Sequence, residues 1–227
     1  MTDKKPVHRP IRSFVIRAGR MTAAQQRGID ELLPVYGIEA GDQPIDFEQV
    51  FGRVAPVFLE IGFGMGQSLL ETVRSHPQFN YLGLEVHQPG VGGLLHQADS
   101  LGLKNLRVIN QDATEILQQR IAPQSLDGLN LYFPDPWHKK KHNKRRIVKN
   151  EFVSQVAAAI KSDGLFHIAT DWDDYAQHII QVMQQSAAFK NVSPADFSDR
   201  NGRPVSKYEQ RARRLGHRVY DMLYHKL

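Results

Sequence analysis

Residues Val57 to Gly66 read VFLEIGFGMG. A short apolar run ends in three glycines at every second position, and Gln67-Ser-Leu-Leu-Glu-Thr-Val-Arg74 continues with helical spacing toward a stop near Pro77. A strand, a tight turn and a helix opening out of that turn mark the place where open α/β sheets hold nucleotide-like ligands. A dinucleotide site would read G-x-G-x-x-G, but counting from Gly62 the sixth position is Gln67, and counting from Gly64 it is Leu69. Glu60, just ahead of the first glycine, would also repel a diphosphate. An acid there suits a ligand with an amino group or other positive charge, lying over backbone that only glycine lets come close. Glu60, Gly62, Gly64 and Gly66 are the first candidate binding residues.

Outward from this turn, apolar runs alternate with helix-like segments, which predicts an α/β fold with a mainly parallel sheet. Tyr81 to Glu85 reads as the second strand, Leu106 to Ile109 as the third, Leu129 to Phe133 as the fourth and Leu165 to Ala169 as the fifth. Arg218 to Tyr224 can form a final strand. A helix is expected around Val91 to Leu101, closed by Gly102. Another is expected from Asn150 to Lys161, where Phe152, Val153, Val156, Ala157 and Ile160 repeat with helical period. Ser193 to Pro204 looks like loop, and residues 1–50 read as a basic extension with one helix near Ala23 to Leu33. Residues 51–227 then make up the ligand-binding domain.

Two further acids close strands. Glu85 ends the second, where a carboxylate can accept from ribose hydroxyls, and Asp112 follows the third, where it can accept from an exocyclic amine. Taken singly, Asp112 could be a helix N-cap and Glu85 a surface charge; three acids at successive strand ends around one glycine turn are more specific. S-adenosylmethionine offers what such a site would bind: a charged amino group and sulfonium, a ribose diol and an adenine amine. In these residues the chain resembles the class I methyltransferases. That resemblance implies a Rossmann-like fold, a mostly parallel seven-stranded sheet with helices on both faces.

A fourth acid is set apart by its flanks. Leu131 to Arg146 reads LYFPDPWHKKKHNKRR, in which Asp135 sits between Pro134 and Pro136 before Trp137 and a burst of cations. The prolines fix φ on either side and restrict the residues before them, so the carboxylate has little backbone freedom. Methyl transfer to a ring nitrogen such as N7 of guanine needs no general base, because that nitrogen has a free lone pair and no proton. The product ring is cationic, and a rigid carboxylate can stabilise the developing charge or accept from the base's N–H groups. Asp135 is therefore the candidate catalytic residue and also faces the ligand crevice. Asp171, at the end of the fifth strand, would stand beside it and could read the donor edge of guanine; the alternative is turn chemistry with Asp173 and Asp174. His138 and His142 have the spacing of a metal pair, but Lys139, Lys140, Lys141 and Lys144 around them would repel a metal ion, and no metal is expected. Trp137 can stack on a base or pack under the loop.

Formal net charge is only +5, yet the cations cluster: Lys4 to Arg20, Lys139 to Arg146, and Arg211 to Arg218. That pattern suits a polyanion partner, with a solvated face as the plain alternative. The chain has no cysteine, so disulfides, thiolate metal sites and cysteine nucleophiles are excluded. No run is long and apolar enough to span a bilayer, and the N-terminus lacks the apolar core of a signal peptide, so a cytoplasmic location is the expectation.

LEIGFGMG, LGLEVHQPGVG, FPDPWHKKKHNKRR, ATDW and PVSKYEQ together resemble the bacterial tRNA (guanine-N7-)-methyltransferases over nearly the whole chain. The resemblance implies an S-adenosylmethionine-dependent methyltransferase domain that forms 7-methylguanosine at guanine 46, in the variable loop of tRNA. It makes Glu60, Glu85, Asp112 and Asp135 cofactor contacts and Asp135 the catalytic acid. Lys139, Asp171 and the segment Ser206, Lys207, Tyr208 and Glu209 become substrate contacts. Lys141, His142, Asn143, Lys144, Arg145 and Arg146 become the RNA-interacting stretch. Many members carry Thr and Phe where this chain has Ser206 and Tyr208, so hydroxyl and ring persist. Ser206 and Glu209 also have the spacing of a capping box for a helix through Arg211 to Leu215. Monomer and homodimer stay open. Two rivals remain: a base amino methyltransferase, whose turn usually places an amide or acid directly before two prolines, and an RNA-binding module that has lost the cofactor.

Overall fold

The computed structural model describes residues 11–15, 19–195 and 197–227; the basic-arm residues Lys4, Lys5, Arg9 and Arg17 lie outside them. The chain begins with α1 (Ala23–Arg27), a π-helical turn (Gly28–Leu32), α2 (Leu33–Tyr36) and α3 (Phe47–Phe51). Alternation then sets in with β1 (Val57–Ile61), α4 (Gln67–Ser75), β2 (Asn80–Leu84), α5 (Gln88–Ser100), β3 (Leu106–Ile109) and α6 (Ala113–Gln119). β4 (Leu126–Tyr132), a 3₁₀ segment (Lys140–Arg145), α7 (Asn150–Ala159), β5 (Ile160–Thr170) and α8 (Asp173–Gln184) follow. β6 (Phe189–Asn191), α9 (Lys207–Arg214) and β7 (Tyr220–Lys226) complete the fold.

The strands form one seven-stranded sheet in the order β3-β2-β1-β4-β5-β7-β6. β1 to β5 pair in parallel, and β7 runs antiparallel to both β5 and β6. Successive side chains of a strand point to opposite faces, and the apolar residues sort accordingly. Leu82, Leu84, Ile109, Leu129 and Leu131 join one core with α6, α7 and α8. Tyr81, Leu106 and Val108 join a second core with α2, α4 and α5. Helices thus cover both faces, which is why the inner strands are apolar on both sides.

Several boundaries differ from those the pattern suggests. The helix from Asn150 stops at Ala159 because the next apolar residue, Ile160, already belongs to β5 and pairs with Leu126. β4 starts at Leu126 despite Asp127, whose carboxylate accepts from the Val57 N–H at 2.8 Å and from Lys161 Nζ at 2.8 Å. From Ala23 onward the supposed extension is built into the domain: Leu32, Tyr36 and Ile45 are buried in the two cores. The reason lies in QPGVGG at the start of α5. A Cβ on Gly92 would lie 2.1 Å from the carbonyl oxygen of Gln25, and one on Gly90 would lie 1.9 Å from that of Gly64. Two glycines let α5 touch α1 on one side and the glycine turn on the other, backbone to backbone.

Candidate active site

The register brings the predicted acids to one edge of the sheet. Ile61 lies opposite Leu84 and Leu131, Leu84 opposite Ile109, and Leu131 opposite Ile168, so these five residues form one row across β3-β2-β1-β4-β5. The residues one step beyond this row are Gly62, Glu85, Asn110, Tyr132 and Ala169. Asp112 and Asp171 follow three residues after it and Asp135 four, and Glu60 lies one step before it. Glycine turn and acids therefore meet at the carboxyl ends of the strands, where such sheets bind ligands.

The turn itself is shaped by glycine. Gly62, Gly64 and Gly66 have φ of +74°, +58° and +75°, and Gly66 leads directly into α4. Glu85 holds the turn in place: its carboxylate accepts from the Gly64 N–H at 2.7 Å and from the N–H groups of Val86 and His87 at 2.7 and 2.9 Å. Asp112 caps α6, its Oδ1 accepting from the backbone N–H and the hydroxyl of Thr114 at 3.0 and 2.8 Å. The second oxygen stays available.

Glu60 is different. It is 5% exposed, and its carboxyl makes no hydrogen bond among the described residues. Burial pushes its carboxyl up to about 8, with Arg203 pulling the other way. A buried carboxyl without a partner is costly, and a cationic amino group is the partner that would relieve it. This orphaned acid over an open glycine backbone fits the amino-acid end of S-adenosylmethionine. Burial, with Glu60 nearby, likewise pushes the Tyr132 hydroxyl well above its usual range.

Asp135 stands out in solvent, with no hydrogen bond or ion pair among the described residues. Its turn is held by side chains that follow it and by the backbone of Ser13. Phe133 and Trp137 on either side adopt φ of +50° and +49°, a left-handed conformation that costs an aromatic residue about 1–3 kcal/mol. Partners over-determine it: Arg146 Nε donates to the Pro136 carbonyl at 2.9 Å, and Trp137 Nε1 donates to the Ser13 carbonyl at 3.0 Å. The Arg145 guanidinium lies 4.4 Å over the Trp137 ring, and the Asn143 amide, turned so that its nitrogen faces the Trp137 carbonyl, reaches it at 2.9 Å. Asp171 leaves the neighbouring strand at the same level, since the Phe133 N–H donates to the Ala169 carbonyl at 2.7 Å.

The basic stretch divides. Lys139, Lys140, Lys141 and Lys144 are exposed and make no ion pair among the described residues. Arg146 is 2% exposed and spends its guanidinium on Pro136, on Asp174 and over the Tyr175 ring, so it clamps the turn from within. The two histidines face separate aromatics: His138 packs on Trp172 at 4.0 Å between ring centroids and His142 on Trp137 at 5.9 Å. Desolvation and then Lys141, Arg145, Lys139 and Lys144 hold the His142 pKa below its usual value.

The Ser206 to Glu209 segment also divides. Ser206 caps α9 by accepting from the Glu209 N–H at 3.1 Å, and Tyr208 is exposed and stacks on Phe133 at 5.9 Å between ring centroids. The Glu209 side chain does not return to Ser206 as a capping box would have it. It is 1% exposed and accepts from Arg203 at 2.9 Å and from Arg213 at 2.6 Å.

Arg203, in a segment that reads as loop, is the centre of this corner. Its guanidinium is bidentate to Asp221 at 2.8 and 2.9 Å and lies 5.4 and 5.3 Å from the ring centroids of Tyr132 and Phe133. Asp221 also meets His167 Nε2 at 3.0 Å, and His167 Nδ1 meets the Tyr132 hydroxyl at 3.1 Å. Burial lowers the Arg203 pKa, but Asp221 and Glu209 outweigh it and the cation is secured. The signal in the sequence was His167 and Asp221, ionisable residues in the middle of apolar strands.

Comparison with known proteins bears on what this edge does. A family model described as "Putative methyltransferase" matches residues 54–222. The tRNA (guanine-N(7)-)-methyltransferase of Pseudomonas savastanoi pv. phaseolicola is 49% identical, covering 99% of this chain and 93% of that one. The same-named protein of Hydrogenovibrio crunogenus is 47% identical, covering 100% and 95%. The chain belongs to the tRNA (guanine-N(7)-)-methyltransferase family. Solved structures with the same fold are more distant. The 16S rRNA methyltransferase KamB superposes with a TM-score of 0.57 at 15% identity, covering 79% of this chain and 91% of that one. The [4+2]-cyclase SpnF superposes with 0.53 at 13% identity, covering 76% and 74%. A cyclase on the same scaffold shows that the sheet does not name the reaction; the residues at its edge do. In this family member, no group of three or more His, Asp or Glu side chains that could hold a metal occurs among the described residues. No helix among them is long and apolar enough to cross a membrane.

Proposed function

We propose that this protein transfers a methyl group from S-adenosylmethionine to N7 of guanine in tRNA, at guanine 46 of the variable loop, in the cytoplasm. The observation that carries the reading is the pairing of an unpartnered buried acid, Glu60, at the glycine turn with an unpartnered exposed acid, Asp135, at the end of the adjacent strand. When bound, S-adenosylmethionine supplies an electrophilic methyl group on a sulfonium.

The chain's own residues do the rest. Glu60 takes the ligand's ammonium, Glu85 keeps one lone pair for a ribose hydroxyl while fixing the turn, and Asp112 offers its free oxygen to the adenine amine. Asp135, held by two prolines, receives the guanine edge and stabilises the positive charge that appears on the ring, an electrostatic role worth about 3–4 kcal/mol in comparable sites. No residue has to remove a proton from N7. Asp171, leaving β5 beside it, accepts from the guanine N–H donors. Lys139, Lys141 and Lys144 hold phosphates around the everted base, with His142 and Asn143 shaping their segment. Ser206, Lys207 and Tyr208 close over the substrate, while Arg145, Arg146 and Glu209 fix the loops that carry these contacts.

The test is incubation with unmodified tRNA and methyl-labelled S-adenosylmethionine, followed by nucleoside mass spectrometry. Label in 7-methylguanosine is the expected result. Label on an exocyclic amine of adenine or cytosine would replace this reading with a base amino methyltransferase, and no label on competent tRNA would leave a binding module.

A further inference from the structure

The third cluster of cations, Arg211 to Arg218, has no part in that chemistry, and α9 splits it by helical geometry. Arg213 turns inward to Glu209. Lys207, Arg211 and Arg214, at i, i+4 and i+7, share another face and line a cleft of about 850 Å³ between α9 and α4. Arg74, from the last turn of α4, joins them, against a single acid, Glu71. Arg74, Lys207 and Arg211 make no ion pair among the described residues, and Arg214 donates only to the Gln210 carbonyl at 3.4 Å.

Glu60, Glu85, Asp112 and Asp135 do not line this cleft; it meets the strand-end site only through the glycine turn and the 206–208 segment. Its floor is apolar and open to solvent: Met65, Leu101, Val205 and Tyr208 are 40, 48, 39 and 57% exposed. Like charges at i,i+4 on a helix oppose folding, and exposed apolar side chains gain nothing from water, so a merely solvated face explains neither. Cations rimming an apolar, partly aromatic floor match a sugar-phosphate strand whose bases lie against the floor.

We propose that the cleft between α4 and α9 is a second RNA-docking site, holding a segment of the tRNA other than the methylated guanine. The proposal rests on the reading of the substrate as tRNA, and it adds an anchoring point that no strand-end residue supplies.

The test uses Arg74→Gln and the triple variant Arg74→Gln/Arg211→Gln/Arg214→Gln, all at exposed positions outside the strand-end site. Equilibrium tRNA binding is measured by filter retention across a salt series, alongside S-adenosylmethionine affinity and the methylation rate at saturating tRNA. The triple variant is expected to bind tRNA about tenfold or more weakly, and its slope of log K against log salt to flatten by about one for each phosphate no longer neutralised. Arg74→Gln alone should show a part of this, with cofactor affinity and saturated rate unchanged. An unchanged Kd and slope in the triple variant overturns the proposal. So does a loss of saturated rate or cofactor affinity with tRNA binding intact, because the cleft would then serve the catalytic loop. Since binding is the readout, wild-type protein that binds tRNA but forms no 7-methylguanosine would sink the reaction and leave the cleft standing.

Discussion

Glu60 and Asp221 are both buried carboxylates of the central sheet, 5% and 3% exposed, and they are in opposite states. Burial dominates at Glu60 and pushes it up to about 8. Asp221 suffers burial too, but His167 and Arg203 more than offset it and hold its pKa below the usual carboxylate range. The corner around Arg203 is satisfied within the chain, and the region around the glycine turn and Asp135 is not. Buried polar groups that the fold itself completes act as framework; those left incomplete await something from outside.

The largest effect expected from breaking this contrast is in the framework. Arg203→Met leaves Asp221 and Glu209 buried without their common cation, which should cost about 3–5 kcal/mol in urea unfolding. A cost near zero would mean that the corner is no more than a packed loop. Next comes the incomplete region. Asp135→Ala should lower the saturated methylation rate about 10²- to 10³-fold while the thermal midpoint stays where it was, because the side chain is exposed and unpaired. Turnover near that of the wild type would take Asp135 out of the chemistry.

Glu60 offers a sharper, smaller effect. An unfolded glutamate titrates near 4.5 and the folded one at about 8, so the folded protein holds the extra proton between these values. Ligand-free stability should therefore fall as pH rises through this window and level off above it. A cationic ligand favours the ionised carboxylate, so binding expels the proton. Affinity for S-adenosylmethionine should tighten up to tenfold per unit between about pH 6 and about pH 7.5. Glu60→Gln should flatten both profiles, which calorimetry at several pH values would register; a flat profile in the wild type would mean that Glu60 is no less satisfied than Asp221. The smallest effect belongs to the α9 cap. Ser206→Ala should cost about 1 kcal/mol of stability and raise KM for tRNA more than it lowers kcat. A kcat loss at constant KM would give the hydroxyl a role in the reaction itself.

The incomplete region was the legible one. VFLEIGFGMG carries its strand, turn and helix in residue type and spacing, and PDPW announces a rigid acid through its prolines. A glycine turn and an acid between prolines break local rules, and breaks are visible in one dimension. The framework was not legible as a unit, because Arg203 and Glu209 lie just before and in α9, His167 in β5 and Asp221 in β7, and the two strand residues meet only through β5 pairing with β7. Their spacing carries no period. Arg146 and Glu209 mislead for a related reason: each sits inside a functional-looking run but spends its charge internally. α6 shows only as the N-cap alternative at Asp112, and α8 is hidden behind Asp173 at its start, which draws the eye to the strand end rather than to the helix that follows. The three-residue β6 is too short for any alternation to register.

The order of the sheet has a consequence for how the molecule comes into being. β6 pairs with β7 alone, and β7 also closes the exposed side of β5. Two strands made earlier must wait for one made later, the last seven strand residues, Tyr220–Lys226. Until these emerge, β5 presents an open edge and Arg203 has no Asp221 to meet, and the nascent chain is at its most prone to pair with a neighbour. The strand that completes the sheet also delivers the carboxylate that locks the corner around Arg203, so a chain stalled short of it would lack both the cover of the β5 edge and the partner of a buried cation.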